Sequence, residues 1–247
     1  MGIEFQKVSK AFSGRSILNE VSFQVEKGEI LFILGRSGVG KSVTLKLLVG
    51  LLTPDTGRVL INGLDVGASD ERQLAQIRKT CGMVFQHPAL FDSLTVFENI
   101  AFGIRDWSRS RQKNKVHECL QLVHLPDSIL KKRPMEISFG MQKRVSLART
   151  LALSPSFILF DEPTTGLDPV TTSTINELIF DLSRTLKVSS LVVSHDMGCA
   201  LKIADRIIVL DQGKVLANGN VESIKYHADP LIQGFMAEVL AKENEPS

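Results

Sequence analysis

The spacing of apolar and polar residues changes several times along the chain. Residues 3–8 and 21–25 alternate with a period of two, and Ser13-Gly14 lies between them, so two half-exposed strands joined by a turn are predicted. Glu29-Ile30-Leu31-Phe32-Ile33-Leu34 is a continuous apolar run and reads as a buried strand. Residues 35–40 are glycine-rich, and 41–52 read as an apolar helix stopped by Pro54. Arg58–Asn62 predicts a further strand closed by Asn62-Gly63, and 70–79 a charged helix. Thr95-Val96-Phe97-Glu98 has the form of a capping box, so a helix is expected to start there. From 105 to 133 the chain turns basic and polar, with Val116, Leu120 and Val123 at helical spacing, which suggests a helical insertion. Phe157–Phe160 and Leu191–Val193 are short buried strands by the same reading, and Arg206–Leu210 and Lys214–Ala217 flank a hairpin signal at Asp211-Gln212-Gly213. Strands alternating with helices predict an α/β fold with a mainly parallel sheet and antiparallel pieces at the two ends.

Composition narrows the class. The 247 residues are 43% hydrophobic and 23% charged, as in an ordinary globular chain, which excludes disorder throughout. A chain of this length buries roughly three quarters of its unfolded surface and needs no covalent staples. Lys and Arg number 29 against 27 Asp and Glu, a net charge of +2, so bulk nucleic-acid binding is not expected. The basic runs at 105–115 and 131–133 read as a solvated helical face. Cys81, Cys119 and Cys199 are few, odd in number and far apart, which argues against a disulfide framework or a zinc site and fits a reducing compartment. No apolar run approaches the roughly 20 residues that span a bilayer, and the MGIEFQ start carries neither a secretory nor a myristoylation signal. A membrane role is therefore expected to come through a partner.

Two segments carry chemistry. Gly35-Arg36-Ser37-Gly38-Val39-Gly40-Lys41-Ser42 fits G-x-x-x-x-G-K-[ST] between a predicted strand and a predicted helix, the context of a P-loop. Its glycines allow backbone N–H groups to wrap phosphate oxygens, and the helix N-terminus adds about half a positive charge. Lys41 is expected to reach the β- and γ-phosphates and Ser42 to bind Mg²⁺. Phe157-Ile158-Leu159-Phe160-Asp161-Glu162 is an apolar strand ending in two carboxylates. Asp161 at its tip suits Mg²⁺, and Glu162, one step further, suits the positioning of water at a γ-phosphate.

With these in place, the chain resembles the ATP-binding cassette (ABC) ATPases over nearly its whole length. Ile137-Ser138-Phe139-Gly140-Met141 is similar to the family signature L-S-G-G-[QM], Thr165-Gly166-Leu167-Asp168-Pro169 to the D-loop, Ser194-His195-Asp196 to the H-loop and Phe85-Gln86 to the Q-loop. The resemblance implies a P-loop NTPase (RecA-like) core, an antiparallel β subdomain and a helical subdomain at about 89–149, within an ATPase domain at 1–225 followed by a tail at 226–247. It implies ATP and Mg²⁺ as cofactors, with Phe12 stacking on adenine, His195 bonded to the γ-phosphate and Gln86 touching metal or water. It also implies that Ser138, Gly140 and Asp168 face the P-loop of a second ATPase subunit, a homodimer being expected. The remaining partner is an integral-membrane permease, which would place the chain on the cytoplasmic face of the inner membrane.

Phe139 departs from the signature by replacing its first glycine. Where such a position needs φ > 0, Phe costs about 1–2 kcal/mol, so weakened or re-tuned hydrolysis is expected. The segment 87–100, with Ala89-Leu90-Phe91-Asp92, Thr95-Val96 and Glu98-Asn99, resembles the Mla- and Mce-associated phospholipid-transport ATPases. On that resemblance the expected cargo is phospholipid, with a substrate-binding or Mce-type protein as an indirect partner; an importer of amino acids or another small solute is the alternative. A non-transport ABC ATPase is a third reading, weakened by the absence of a long coiled-coil insertion. A module that holds ATP without turnover is disfavoured by Glu162 and His195.

Overall fold

The computed structural model describes residues 2–243. Strands β1 (Ile3–Phe12) and β2 (Arg15–Val25) pair antiparallel, with Phe5 stacked on Phe23 across the ladder at 4.4 Å. Strands β3 (Ile30–Leu34), β4 (Thr56–Ile61), β5 (Leu64–Asp65), β6 (Cys81–Val84), β7 (Phe157–Asp161), β8 (Ser189–Ser194), β9 (Arg206–Asp211) and β10 (Lys214–Gly219) follow. They form two sheets, an antiparallel one in the order β2-β1-β4-β5 and a larger one in the order β10-β9-β3-β8-β7-β6. In the larger sheet β9, β3, β8, β7 and β6 run parallel and only β10 is antiparallel, as the alternation of elements predicts. The predicted turn at Ser13-Gly14, the strand end at Asn62-Gly63 and the hairpin signal at 211–213 all prove to be hairpins, closing on Ser13, Asn62 and Gln212 at positive φ (48°, 51° and 46°) and each followed by glycine, the pairing that matches strand twist.

Every residue of β3 and β8 is buried, which is why β3 reads as an unbroken apolar run and not as an alternation, whereas β8 carries an apolar centre, Leu191–Val193, between buried serines. Helix α1 (Lys41–Leu48) is shorter than the sequence suggests. Gly50 stops it, not Pro54: Gly50 takes φ 63° and the Leu51 N–H returns to the Lys46 carbonyl at 2.9 Å, a glycine C-cap. Helix α2 (Glu71–Thr80) begins in a capping box between Asp70 and Gln73.

Between β6 and β7 lie α3 (Val96–Ala101), α4 (Arg109–Leu122) and α5 (Phe139–Leu151), packed on one another. The expected capping box at Thr95 and Glu98 is formed. The basic stretch 105–133 is not one helix; α4 ends at Leu122, His124 turns left-handed and short 3₁₀ turns follow at Asp127–Ile129 and Pro134–Glu136. Pro126 and Pro134 lack the N–H needed to continue a helix. Helices α6 (Pro169–Leu186), α7 (Met197–Ile203), α8 (Val221–Lys225) and α9 (Pro230–Glu243) follow among the described residues. Within the C-terminal stretch, α9 packs on α7 and buries Ile232, Phe235 and Met236 in the core beneath the large sheet.

Asn99, fully buried in α3, braces the loop ahead of that helix. It accepts from the Phe91 N–H (2.9 Å) and donates to the Phe91, Leu94 and Thr95 carbonyls (3.1, 3.2 and 3.0 Å). Asn99→Ala leaves these groups without their partner and is expected to lower unfolding stability by about 3 kcal/mol, read from urea denaturation.

Candidate active site

The strand ends of the large sheet deliver the polar residues. The loop Gly35–Gly40 leaves β3 and enters α1 with Gly40 as its N-cap. Lys41 is folded back over this loop, its Nζ donating to the Gly35 carbonyl at 2.6 Å and the Arg36 carbonyl at 3.2 Å. The Ser42 hydroxyl donates to Asp161 Oδ1 at 3.0 Å. Burial pushes the Asp161 carboxyl above its ordinary pKa, the Ser42 bond opposes this, and neighbouring Glu162 adds to it.

Glu162 follows β7 at φ 48°, a left-handed backbone that is rare for a residue with a side chain. This turn places its carboxylate among three partners. Oε1 is 3.4 Å from Lys41 Nζ, while Oε2 is 2.8 Å from His195 Nδ1 and accepts from the Thr165 hydroxyl at 3.2 Å. Phe12, Arg36, Ser37, Gly38, Gly40, Lys41, Ser42, Gln86, Glu162 and His195 line one cleft of about 610 Å³. Gly35 and Val39 belong to the loop without lining the cleft, and Asp161 reaches it through Ser42. Phe12 is 42% exposed at the rim, leaving ring area for a stacked base, with Lys10 Nζ 5.5 Å from its centroid.

Ser138, Gly140 and Asp168 stand together outside that cleft. Ser138 caps α5, accepting from the Met141 N–H at 3.3 Å. Asp168 caps α6 and takes both the Thr171 N–H (2.9 Å) and the Thr171 hydroxyl (2.6 Å), bonds that hold its carboxyl below the usual range. Gly140 faces this cap closely; a Cβ there would lie 2.7 Å from Thr171 Cγ2. Phe139 corrects the strain expectation: it is the first residue of α5 and is not among the residues of positive φ. Its ring lies 5.4 Å from Lys143 Nζ and within 4.0 Å of the point where a Cβ on Gly166 would project.

The bond from Thr165 to Glu162 was not expected, although Thr165 opens the D-loop-like segment. Phe235 and Glu238 of α9, which no motif singles out, line the cleft although they lie more than 70 residues beyond Glu162 in the chain. Lys143, one basic residue among several in α5, is buried under the loop after β7.

The chain matches the family described as ABC transporter over residues 18–165. The chain belongs to that family. It is 37% identical to a methionine import ATP-binding protein of Bradyrhizobium diazoefficiens, over 96% of this chain and 71% of that protein. It is also 37% identical to a probable ribonucleotide transport ATP-binding protein of Mycobacterium leprae, over 96% and 69%. Among solved structures, a dimeric ATP-binding cassette in a post-hydrolysis state with ADP and Pi superposes with a TM-score of 0.81 at 30% identity, covering 89% of this chain and 98% of that one. As an ABC ATPase subunit the chain binds ATP in the P-loop fold described above. Among the described residues no helix is long and apolar enough to cross a membrane.

Burial lowers the Lys143 pKa to about 8, while the Glu162 charge pulls it upward. An unfolded lysine keeps its proton to about pH 10.4. Between those values the unfolded chain binds more protons, so stability rises with pH across this window. The stability of the wild type relative to Lys143→Met is expected to increase from pH 8 to pH 10, measured by denaturant titration.

Proposed function

We propose that the chain is the ATP-hydrolysing subunit of an ABC importer for a small solute. The observation that carries the hydrolytic reading is the Glu162 carboxylate, held between Lys41 and His195 beside the Ser42–Asp161 pair. In this reading Lys41 leaves the loop carbonyls for the phosphates when ATP enters, and the backbone N–H groups of the loop and α1 cradle the phosphate oxygens. Phe12 offers the adenine platform. Glu162 orients the attacking water and accepts its proton, and His195 keeps that carboxylate in register through Nδ1 while Nε2 meets the γ-phosphate. Ser42 and Asp161 supply hard oxygen ligands, the donor set Mg²⁺ prefers, and Gln86 adds a third oxygen at the rim. Bound there, Mg²⁺ would neutralise charge on the phosphates. Ser138, Gly140 and Asp168 lie outside this cleft and suit the nucleotide of a second ATPase subunit.

A permease partner is supported by the surface beside Gln86. Phe91 and Phe102 are both about two-fifths exposed and pack ring to ring at 4.5 Å, whereas Leu90 and Phe97 turn into the core. Docking there would hold the chain at the cytoplasmic face of the membrane. The methionine importer among the relatives favours a small solute over phospholipid as cargo. The Ala89–Asn99 segment favours phospholipid, which remains the second reading. Lipid and small-solute analysis of the purified permease complex by mass spectrometry separates them.

Two experiments test the motor. Glu162→Gln is expected to bind ATP normally and lose turnover by about a hundredfold or more, because the amide cannot take a proton, whereas Lys41→Ala is expected to lose nucleotide binding itself. Unchanged hydrolysis in Glu162→Gln overturns the assignment. Phe91→Asp is expected to leave ATP binding intact and to abolish co-purification with the permease, since it replaces an apolar ring by a carboxylate whose desolvation in the interface costs several kcal/mol even beside Arg149.

A further inference from the structure

We infer that Lys143 is a positioning residue for hydrolysis: from inside α5 it grips the loop that carries Glu162 by two backbone carbonyls, with Phe139 as its cover. This rests on the reading of Glu162 as the group that activates water.

Lys143 is 4% exposed, and a buried ammonium is costly unless its donors are satisfied. Nζ donates to the Pro163 carbonyl at 2.7 Å and the Thr165 carbonyl at 3.0 Å. Thr165 then donates its hydroxyl to Glu162 Oε2 at 3.2 Å and its N–H to the Glu162 carbonyl at 3.3 Å. A continuous line of hydrogen bonds therefore runs from the signature helix to the carboxylate. It has something to hold, because Glu162 sits in a left-handed conformation that persists only where its surroundings impose it.

Phe139 lies one helical turn before Lys143, so the two side chains share a face of α5. The partly exposed aromatic ring lies 5.4 Å from the buried ammonium and reaches toward Gly166. The departure from the signature thus packs over the one lysine that joins α5 to this loop. Gly140 adds a second close approach on the next cap, at Thr171. A shift at the start of α5, where Ser138 and Gly140 meet a partner's nucleotide in the proposed dimer, would carry the Pro163 and Thr165 carbonyls with it and move Glu162.

The test compares full-length Lys143→Met, Lys143→Gln, Phe139→Ala and Glu162→Gln in steady-state ATPase assays with Mg²⁺-ATP, alongside fluorescent-nucleotide binding. Methionine keeps length and helix propensity but has no donor; the glutamine amide carries two N–H groups on one nitrogen. Lys143→Met is expected to lower kcat about tenfold or more with KM and nucleotide affinity within about twofold of wild type, since small displacements of a catalytic group are costly in rate. Lys143→Gln is expected to recover at least part of the loss, and Phe139→Ala to lower kcat by a smaller factor without moving KM. Wild-type kcat in Lys143→Met overturns the inference, as does an equal loss in Met and Gln. Should Lys143→Met fail to bind nucleotide, Phe139→Ala, altered at a partly exposed site, decides: an unchanged kcat there overturns the inference. Retained turnover in Glu162→Gln would instead remove the reading on which it rests.

Discussion

Four neighbouring parallel strands end almost level, and the rest of the site depends on that alignment. Leu34 of β3 pairs with Ser194 of β8, Asp161 of β7 with Val193, and Val84 of β6 with Phe160. The residues that follow these ends are the P-loop, His195, Glu162 and Gln86. Ladder hydrogen bonds between buried strands leave no freedom to slip, because a one-residue shift would turn every side chain to the other face. Chemistry at the carboxyl edge of a parallel sheet follows from this register.

Level strand ends also bring like charges together. Asp161 and Glu162 are consecutive, and the Glu162 charge helps to hold the Asp161 carboxyl above its ordinary pKa, after burial. The molecule separates them by turning the chain left-handed at Glu162, which sends one carboxylate to the Ser42 hydroxyl and the other to Lys41 and His195. Lys41 occupies loop carbonyls and Glu162 at once, so an entering phosphate competes with contacts already made and does not meet an empty cradle. The strained residue and the doubly engaged cation are thus parts of one arrangement.

The insertion between β6 and β7 carries the second group of proposed site residues. Helix α5 reaches the β7–α6 loop through Lys143 and through the close approach of Gly140 to Thr171. On its other side the insertion presents Phe91 and Phe102, on a loop braced by Asn99. A rigid helical unit that touches the Glu162 loop at one end and shows an apolar surface at the other is suited to pass displacement between them.

The sequence by itself determined the elements and the chemistry of the strand ends. Buried parallel strands leave unbroken apolar runs, hairpins leave left-handed residues before glycine, and phosphate loops need glycine, lysine and serine at fixed spacing, so β3, β7, the three turns and Gly35–Ser42 were legible in order. Helix limits were less so: Pro54 marks a stop after 41–52, but Gly50 ends α1 by its cap, and the spacing at 116–123 says nothing of where α4 finishes. Only the tertiary structure decided where Phe139 and Lys143 sit and what they touch. A motif comparison sees a glycine replaced and predicts strain, whereas the fold puts that residue in a helical turn with a lysine beneath it. Nor does any local pattern bring Phe235 and Glu238 beside the P-loop. Local signals report what a residue's own backbone requires, while partners distant in sequence are chosen by how the helices settle on the sheet, and no periodicity records that choice.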